Sequence, residues 1–390
     1  MASKTIWPVG PQHPAIDEPI FLKLELEGST VKDVELNLGY VHRGIEKLVE
    51  GKLIETALYT VERVCGICSH SHANPFTEAV ESVLEIDVPA KVKYQRTIIG
   101  ELERMHSHLL WSAVMMRELG FETEFMFFMH EREKVLDVFE ELTGNRLFHA
   151  LNFIGTSRVN FMRDDLIRAE KKLDIDVEHY ERVVKNQRGV VERLKGVGKI
   201  SKETALEYGL VGPVARASGV EFDVRKADKY DAYGNVEFKL VAREEGDAYA
   251  RMLVRFHELK ESKRILEQVF ASISYDEGIP KRSDYQIVEG VGMARIEAPR
   301  GENFHFVAIE QNKVKRVKIR TPTLANILMY SELLKGADVT DVPVIIASLD
   351  PCFGCLERVL VVEDGREENL SGREFKEKFK GAEICTGMKD

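Results

Sequence analysis

The chain has 390 residues, with 65 acidic against 55 basic side chains and a net charge of −10, which argues against a nucleic-acid binder and its basic footprint. Hydrophobic residues make up 44%, enough for a sizeable core, and charged residues 31%, above the roughly 25% of an average protein and rich in the Lys and Glu favoured by thermophiles. No run approaches the roughly 18 apolar residues of a membrane span, and residues 1–14 lack the apolar stretch of a signal peptide, so the expectation is a soluble, cytoplasmic chain that partners could hold at a membrane.

In chain order, residues 20–38 alternate apolar and polar types on both sides of Gly28-Ser29, which predicts a hairpin. From about residue 44 the pattern turns helical. Residues 90–119 place Val92, Ile98, Ile99, Leu102, Leu109 and Leu110 at three- and four-residue spacing, which predicts a long, largely buried helix. Helices are also expected over 124–143, 163–195 and 246–272, with the Met and Phe run at 125–129 in the core. On the long helix, His106 and His108 stand beside Glu101, Glu103 and Arg104 and read as solvated or interhelical polar groups. Residues 211–240, richer in Gly, Asp and β-branched types, read as loops with short strands. Alternation returns over 284–320, a helix follows over 324–335, and a short apolar run at 342–350 leads into a cysteine pair. Without repeats, low-complexity segments or long linkers, the expectation is one domain over 1–390. Its class is α+β, predominantly α, with a large helical core and β-hairpin elements near the N-terminus and in the C-terminal third.

Five cysteines occur, Cys65, Cys68, Cys352, Cys355 and Cys385. An odd count in a reducing compartment argues against a disulfide framework. Four of them form two C-x-x-C pairs 287 positions apart, so only the complete fold could join them. Four thiolates suit structural zinc, although zinc ribbons place their pairs roughly 15–20 residues apart. A thioredoxin-type redox pair, unrelated buried cysteines and a soft-metal redox centre are the other readings. A shared site requires all four sulfurs within about 4 Å of one another.

The flanking residues add a resemblance. Arg63-Val64-Cys65-Gly66-Ile67-Cys68, with His72 four places on, and Asp350-Pro351-Cys352-Phe353-Gly354-Cys355, with Arg358 three places on, closely resemble the two signatures of nickel–iron hydrogenase large subunits. Gly10-Pro11-Gln12-His13-Pro14, His42-Arg43-Gly44-Ile45-Glu46, Thr143-Gly144-Asn145-Arg146, Gly212-Pro213, Ser218-Gly219-Val220 and Glu297-Ala298-Pro299-Arg300-Gly301 also look like blocks of that family. They also resemble the quinone-site 49-kDa-type subunit of complex I, which lacks the cysteine set. The blend resembles the membrane-bound, complex I-related branch of the hydrogenases.

That resemblance implies a Ni–Fe centre whose iron carries CO and CN. All four thiolates bind nickel, Cys65 and Cys352 as terminal ligands and Cys68 and Cys355 as bridges to iron. It implies 2 H⁺ + 2 e⁻ ⇌ H2, with Arg300 a fixed cation over the metals. Cys352 or Arg300 takes the proton, and Glu18, next to Asp17, is the first relay. His72 would hydrogen-bond a bridging sulfur, Asp350 would support the second loop, and His42 and Arg43 would hold loop structure near the proton route. With the cysteines so assigned, no Fe–S cluster is expected in this chain. Electrons would come from ferredoxin through a [4Fe–4S] cluster in a small Fe–S subunit of the hydrogenase/complex I type. Membrane antiporter-like subunits would couple the reaction to ion translocation, with the chain peripheral on the cytoplasmic face of the membrane.

The sequence departs from the family at Gly354, where Ser or Ala is usual, and at Leu356, where a small polar residue is usual. In the family a protease removes the tail; here the cut would follow Arg358, releasing residues 359–390. Two alternatives follow: a sulfane-sulfur (polysulfide) reductase subunit of the same superfamily, and a non-catalytic, complex I-like quinone-site or coupling subunit with an empty or zinc-filled site.

Overall fold

The computed structural model describes residues 4–14, 16, 18–275, 278–281, 289–356, 360–363 and 366–369. Asp17, Arg358, Cys385 and most of the expected processing tail lie outside them.

The N-terminal strands β1 (Lys4–Val9), β2 (Phe21–Glu27) and β3 (Thr30–Asn37) form an antiparallel meander in the order β1-β2-β3. The β2–β3 hairpin is the expected one. Gly28 supplies the left-handed turn residue, with φ 63°. Leu22, Leu24, Leu26, Val31 and Val34 point into a core shared with the C-terminal helices. The first strand has no turn signal on its N-terminal side to mark it out in the sequence.

Four helices follow: α1 (Ile45–Leu48), α2 (Ile54–Glu62), α3 (His70–Val83) and α4 (Ala90–Glu118). The 29 residues of α4 span about 43 Å. At Gly120, φ 82°, the chain reverses into α5 (Glu122–Thr143), which packs along α4. The small hairpin β4 (Asn152–Phe153) and β5 (Thr156–Ser157) leads to α6 (Arg163–Lys172), α7 (Val177–Asn186) and α8 (Arg188–Leu194). The single helical stretch expected over 163–195 is therefore three helices. The break has a local cause: the Asp176 carboxylate accepts from His179 N and starts a new helix, and Gln187 is extended.

Residues 211–240 contain no strand, contrary to expectation. They form α10 (Gly212–Arg216) after α9 (Lys202–Glu207), then α11 (Val224–Ala227) and a 3-10 turn at Tyr233–Asn235. Pro213 sits in the first turn of α10 and Asp223 caps α11, so start signals prevail over β-branched composition. The 25-residue α12 (Ala248–Ser272) returns along α4.

The second sheet, β6 (Gly290–Ala298), β7 (Gly301–Glu310) and β8 (Lys313–Arg320), is an antiparallel meander against α3, as the alternation predicts for its described residues. The helix expected over 324–335 is two, α13 (Pro322–Asn326) and α14 (Met329–Leu334). The apolar run at 342–350 is α15 (Val342–Ser348), buried on nearly every side, and the strands β9 (Leu360–Glu363) and β10 (Arg366–Asn369) pair beyond the second cysteine pair. The chain is thus α+β and mainly helical. Met126 and Phe127 are a correction: they are 59% and 54% exposed, and only Phe128 of that run is buried. Among the described residues no helix is long and apolar enough to cross a membrane.

Candidate metal centre

The first cysteine pair lies in the turn between α2 and α3, and the second in the turn after α15, Cys355 closing the 3-10 turn Phe353–Cys355. All four are buried free thiols. Cys65 Sγ stands 3.1 Å from Cys352 Sγ, and Cys68 Sγ 3.9 Å from Cys355 Sγ. The four sulfurs lie within 4.8 Å of one another, a slightly wider set than expected. The backbone N–H groups of Ile67 and Cys68 both donate to Cys65 Sγ at 3.3 Å. Hydrogen bonding, led by Cys352, holds the Cys65 thiol well below the usual range. Among the described residues this is the one group of three or more His, Cys, Asp or Glu side chains placed to share an ion.

One side chain ties the two loops together. Arg43 donates to Arg63 O at 3.1 Å, Val64 O at 2.5 Å and Gly354 O at 3.0 Å. Glu18 contacts the second loop, accepting from Gly354 N at 3.0 Å. A Cβ at Gly354 would meet Glu18 Oε1 at 3.2 Å, so a larger residue there would push the Glu18 carboxylate by a few tenths of an ångström. Burial pushes the Glu18 carboxyl up, against the Gly354 hydrogen bond that lowers it. The second loop is also held from α13 and its cap: Thr323 Oγ1 accepts from Cys352 N, and Thr321 Oγ1 donates to Cys355 O.

Arg300 sits at the β6–β7 turn, buried. Its Nε donates to Asp350 O at 2.9 Å, its Nη1 to Ser107 Oγ at 3.0 Å, and its Nη2 pairs with Asp350 Oδ1 at 2.7 Å. Burial works against its charge, but the Asp350 carboxylate and the thiols outweigh this and keep it protonated. A Cβ on Gly212, φ +67°, would lie 2.2 Å from Arg300 O, so only glycine lets α10 pack under this turn.

His72, on the first turn of α3, has Nε2 3.6 Å from Cys355 Sγ and Nδ1 3.4 Å from His305 Nε2. Burial pulls its pKa down to about 4, so it is neutral at pH 7 and can offer one N–H. Asn303 Nδ2 donates to Ser71 O beside it. Glu103, from α4, accepts from the His70 and Ser71 N–H groups at 2.7 and 2.9 Å and from the Ser71 hydroxyl, which satisfies the start of α3. Desolvation moves its pKa up to about 8. Glu103, Ser107, Asn303 and His305 carry no motif and are invisible to spacing arguments.

His106 and His108 are interhelical and not solvated. His106 accepts from Arg132 of α5, and His108 pairs with Glu258 of α12 at 2.9 Å. A cavity of about 310 Å³ reaches Ile67 of the first cysteine loop and Phe353 of the second, with Glu18, Leu110, Trp111 and Arg300 also in its walls.

Known proteins resemble this chain in sequence and in fold. The family model described as respiratory-chain NADH dehydrogenase, 49 Kd subunit, matches residues 118–288 and 280–358, and that of nickel-dependent hydrogenase matches residues 43–113. The chain is 34% identical to the membrane-bound hydrogenase subunit alpha of Pyrococcus furiosus, over 94% of this chain and 91% of that protein. It is also 34% identical to the carbon monoxide-induced hydrogenase of Rhodospirillum rubrum, over 92% of this chain and 100% of that one. A solved structure of the membrane-bound sulfane sulfur reductase, an archaeal respiratory membrane complex, aligns with TM-score 0.86 at 30% identity, covering 91% of this chain and 98% of its counterpart. The chain belongs to the family of large subunits shared by membrane-bound hydrogenases and complex I, the 49-kDa type.

Proposed function

We propose that this chain is the catalytic subunit of a nickel–iron oxidoreductase that interconverts protons and H2. The observation that carries the reading is the convergence of four buried thiols from opposite ends of the chain beside the Arg300–Asp350 pair. The donor set fits the group: soft thiolates suit nickel and iron, and no hard oxygen ligand joins them. Cys65, Cys68, Cys352 and Cys355 would hold it, with Cys68 and Cys355 as bridges. A Ni–Fe centre bound there would supply the two-electron chemistry of 2 H⁺ + 2 e⁻ ⇌ H2.

The chain's own residues do the rest. Arg300 presents a fixed cation at the cavity wall. His72 donates its Nε2 hydrogen to Cys355 Sγ and so lowers the electron density on that sulfur. Glu18 has one oxygen on the second cysteine loop and also lines the cavity. Its raised pKa suits it to take a proton from the Cys352 side and pass it outward. Asp350 keeps Arg300 aimed.

Electrons need a route, and the four motif cysteines are committed to the centre. A small Fe–S subunit with a [4Fe–4S] cluster, fed by ferredoxin, completes the path. Antiporter-like membrane subunits would couple the reaction to ion translocation, with this chain peripheral on the cytoplasmic face. Residues 1–390 act as one domain in this reading, since β3 and β8 are bridged to residues distant in sequence, Thr30 to Asp338 and Leu53 to Lys313.

Nickel and iron analysis of the purified complex, with infrared spectra in the CO and CN region, tests the proposal. Both metals with such bands are expected; zinc alone would favour a coupling subunit of complex I type. The sulfane-sulfur reductase structure and the unusual Gly354 favour a second reading, reduction of polysulfide at the same site. Parallel assays with protons and with polysulfide separate the two.

A further inference from the structure

The Asp350 carboxylate is shared between two buried guanidinium groups. Its Oδ1 pairs with Arg300 Nη2 at 2.7 Å. Its Oδ2 faces Arg255 Nε at 3.6 Å, beyond hydrogen-bond length, and has no hydrogen-bond donor. Arg255 reaches this point from α12 and is fully buried. Its guanidinium lies 4.1 Å over the Trp111 ring, and Trp111 Nε1 donates to Ala347 O, three residues before Asp350. Arg255 Nη1 donates to Arg251 O, while Nε and Nη2 find no acceptor.

As a stabiliser this arrangement is poor. Each buried donor left without a partner weakens the fold, and a carboxylate one turn away does not relieve it. Glu258 is occupied by Arg216 Nε at 2.9 Å and His108 at 2.9 Å. Asp350 itself has φ +55°, a left-handed conformation uncommon outside glycine. A strained acid between two buried cations is better explained by what it does for Arg300.

We propose that Arg255 is a positioning residue for Arg300. Its charge holds the second oxygen of Asp350 in place, so that Arg300 receives only the first. A carboxylate free of Arg255 would present both oxygens to the Arg300 guanidinium, the favoured forked geometry. That turn would draw Nη1 away from Ser107 Oγ. The direction of the cation at the cavity therefore depends on a side chain that does not line the cavity. This inference rests on the reading of Arg300 as the cation of a metal centre.

The test compares the intact complex with Arg255→Met, which keeps bulk over Trp111 but removes the charge, and with Arg255→Lys, which restores it. Cryo-EM maps of the Met variant are expected to show both Asp350 oxygens on Arg300 and Nη1 no longer bonded to Ser107 Oγ; the Lys variant keeps the wild-type seat. H2 turnover should fall about 10- to 100-fold in the Met variant, as a small misplacement does, with KM for H2 unchanged and the CO and CN bands displaced. The Lys variant recovers most of it. An Arg300 seat unchanged in the Met variant overturns the proposal. Arg255→Gln stands in should Met prevent folding; failure of both neutral variants to fold would make Arg255 a folding residue and also overturn it. If the wild-type complex has no CO or CN bands, the metal reading fails, while the Arg300 seat in the same maps still decides the role of Arg255.

Discussion

At Cys68 and Cys355 the two halves of the sequence come within 3.9 Å, and each sulfur has a distinct environment. Cys355 faces His72, while Cys65 gathers two backbone N–H groups. Replacing Cys68 or Cys355 with Ser exchanges a soft ligand for a hard one. Either variant is expected to lose iron and all H2 turnover while remaining folded, as metal analysis and circular dichroism would show. Full turnover would remove the bridging role. Glu18→Gln keeps the hydrogen bond from Gly354 N, because its amide oxygen still accepts, but it carries no proton. It is expected to retain both metals and lose at least about 10²-fold in H/D exchange, the usual scale of proton-transfer catalysis. Unchanged exchange would move the relay elsewhere. The convergence of the cysteines with His72, Arg300 and Asp350 was legible because these residues sit in short motif runs. Ser107, Glu103, His305 and Arg255 were not, because each reaches the site alone from a helix or strand whose own pattern reports only packing.

The long helices were legible as helices and misleading as surfaces. Apolar spacing marks out α4, yet Gln95, Arg96, Glu101, Glu103, Arg104, Ser107 and His108 are buried as well. Their partners come from elements far away in sequence. Arg104 clasps the carbonyls of Glu297 and Ala298, and Arg225 joins Glu101 to Asp223. Burial would raise the Asp223 pKa, but Arg225 and Arg216 outweigh it and hold it at about 2 against an ordinary 3.8. A depressed folded-state value stabilises the protein above pH 4, and that contribution is lost as pH falls towards 2. One such group is worth about 2 kcal/mol. Glu101 and Glu258 are lowered too, despite burial, chiefly by Arg225 and by Arg216 respectively. Denaturant midpoints should therefore fall steeply between pH 4 and 2, and in Asp223→Asn that part of the decline should be shallower. A flat profile would show that these pairs are already matched in the unfolded chain.

For the molecule as a whole, the proposed redox chemistry makes electron supply the strongest constraint. Tyr40, Leu48, Leu53, Tyr59 and Leu147 are exposed apolar side chains around the first cysteine loop and the helices leading to it. A permanent subunit interface buries apolar surface of this kind, above about 2,000 Å² in total. Purified alone with nickel confirmed, the chain is expected to show no electron exchange with reduced ferredoxin, and activity should return on adding the Fe–S partner. Full activity without a partner would show that the path is internal. The family, the fold class and the hairpins were readable at this scale. The subdivision of 163–195 and the helical character of 211–240 were not, because single capping residues such as Asp176 and Asp223 decide them.

The staple made by Arg43 has a consequence for biosynthesis. Its three carbonyl acceptors come from residues 63, 64 and 354, so the third is synthesised long after the other two. A ribosome adding residues in order exposes Cys65 and Cys68 long before their counterparts, as an incomplete dithiol. The nascent protein therefore cannot close its pocket around a metal prematurely. An ion that needs all four sulfurs can be enclosed only after the second cysteine pair has been made, so the distance between the two pairs sets an order of assembly.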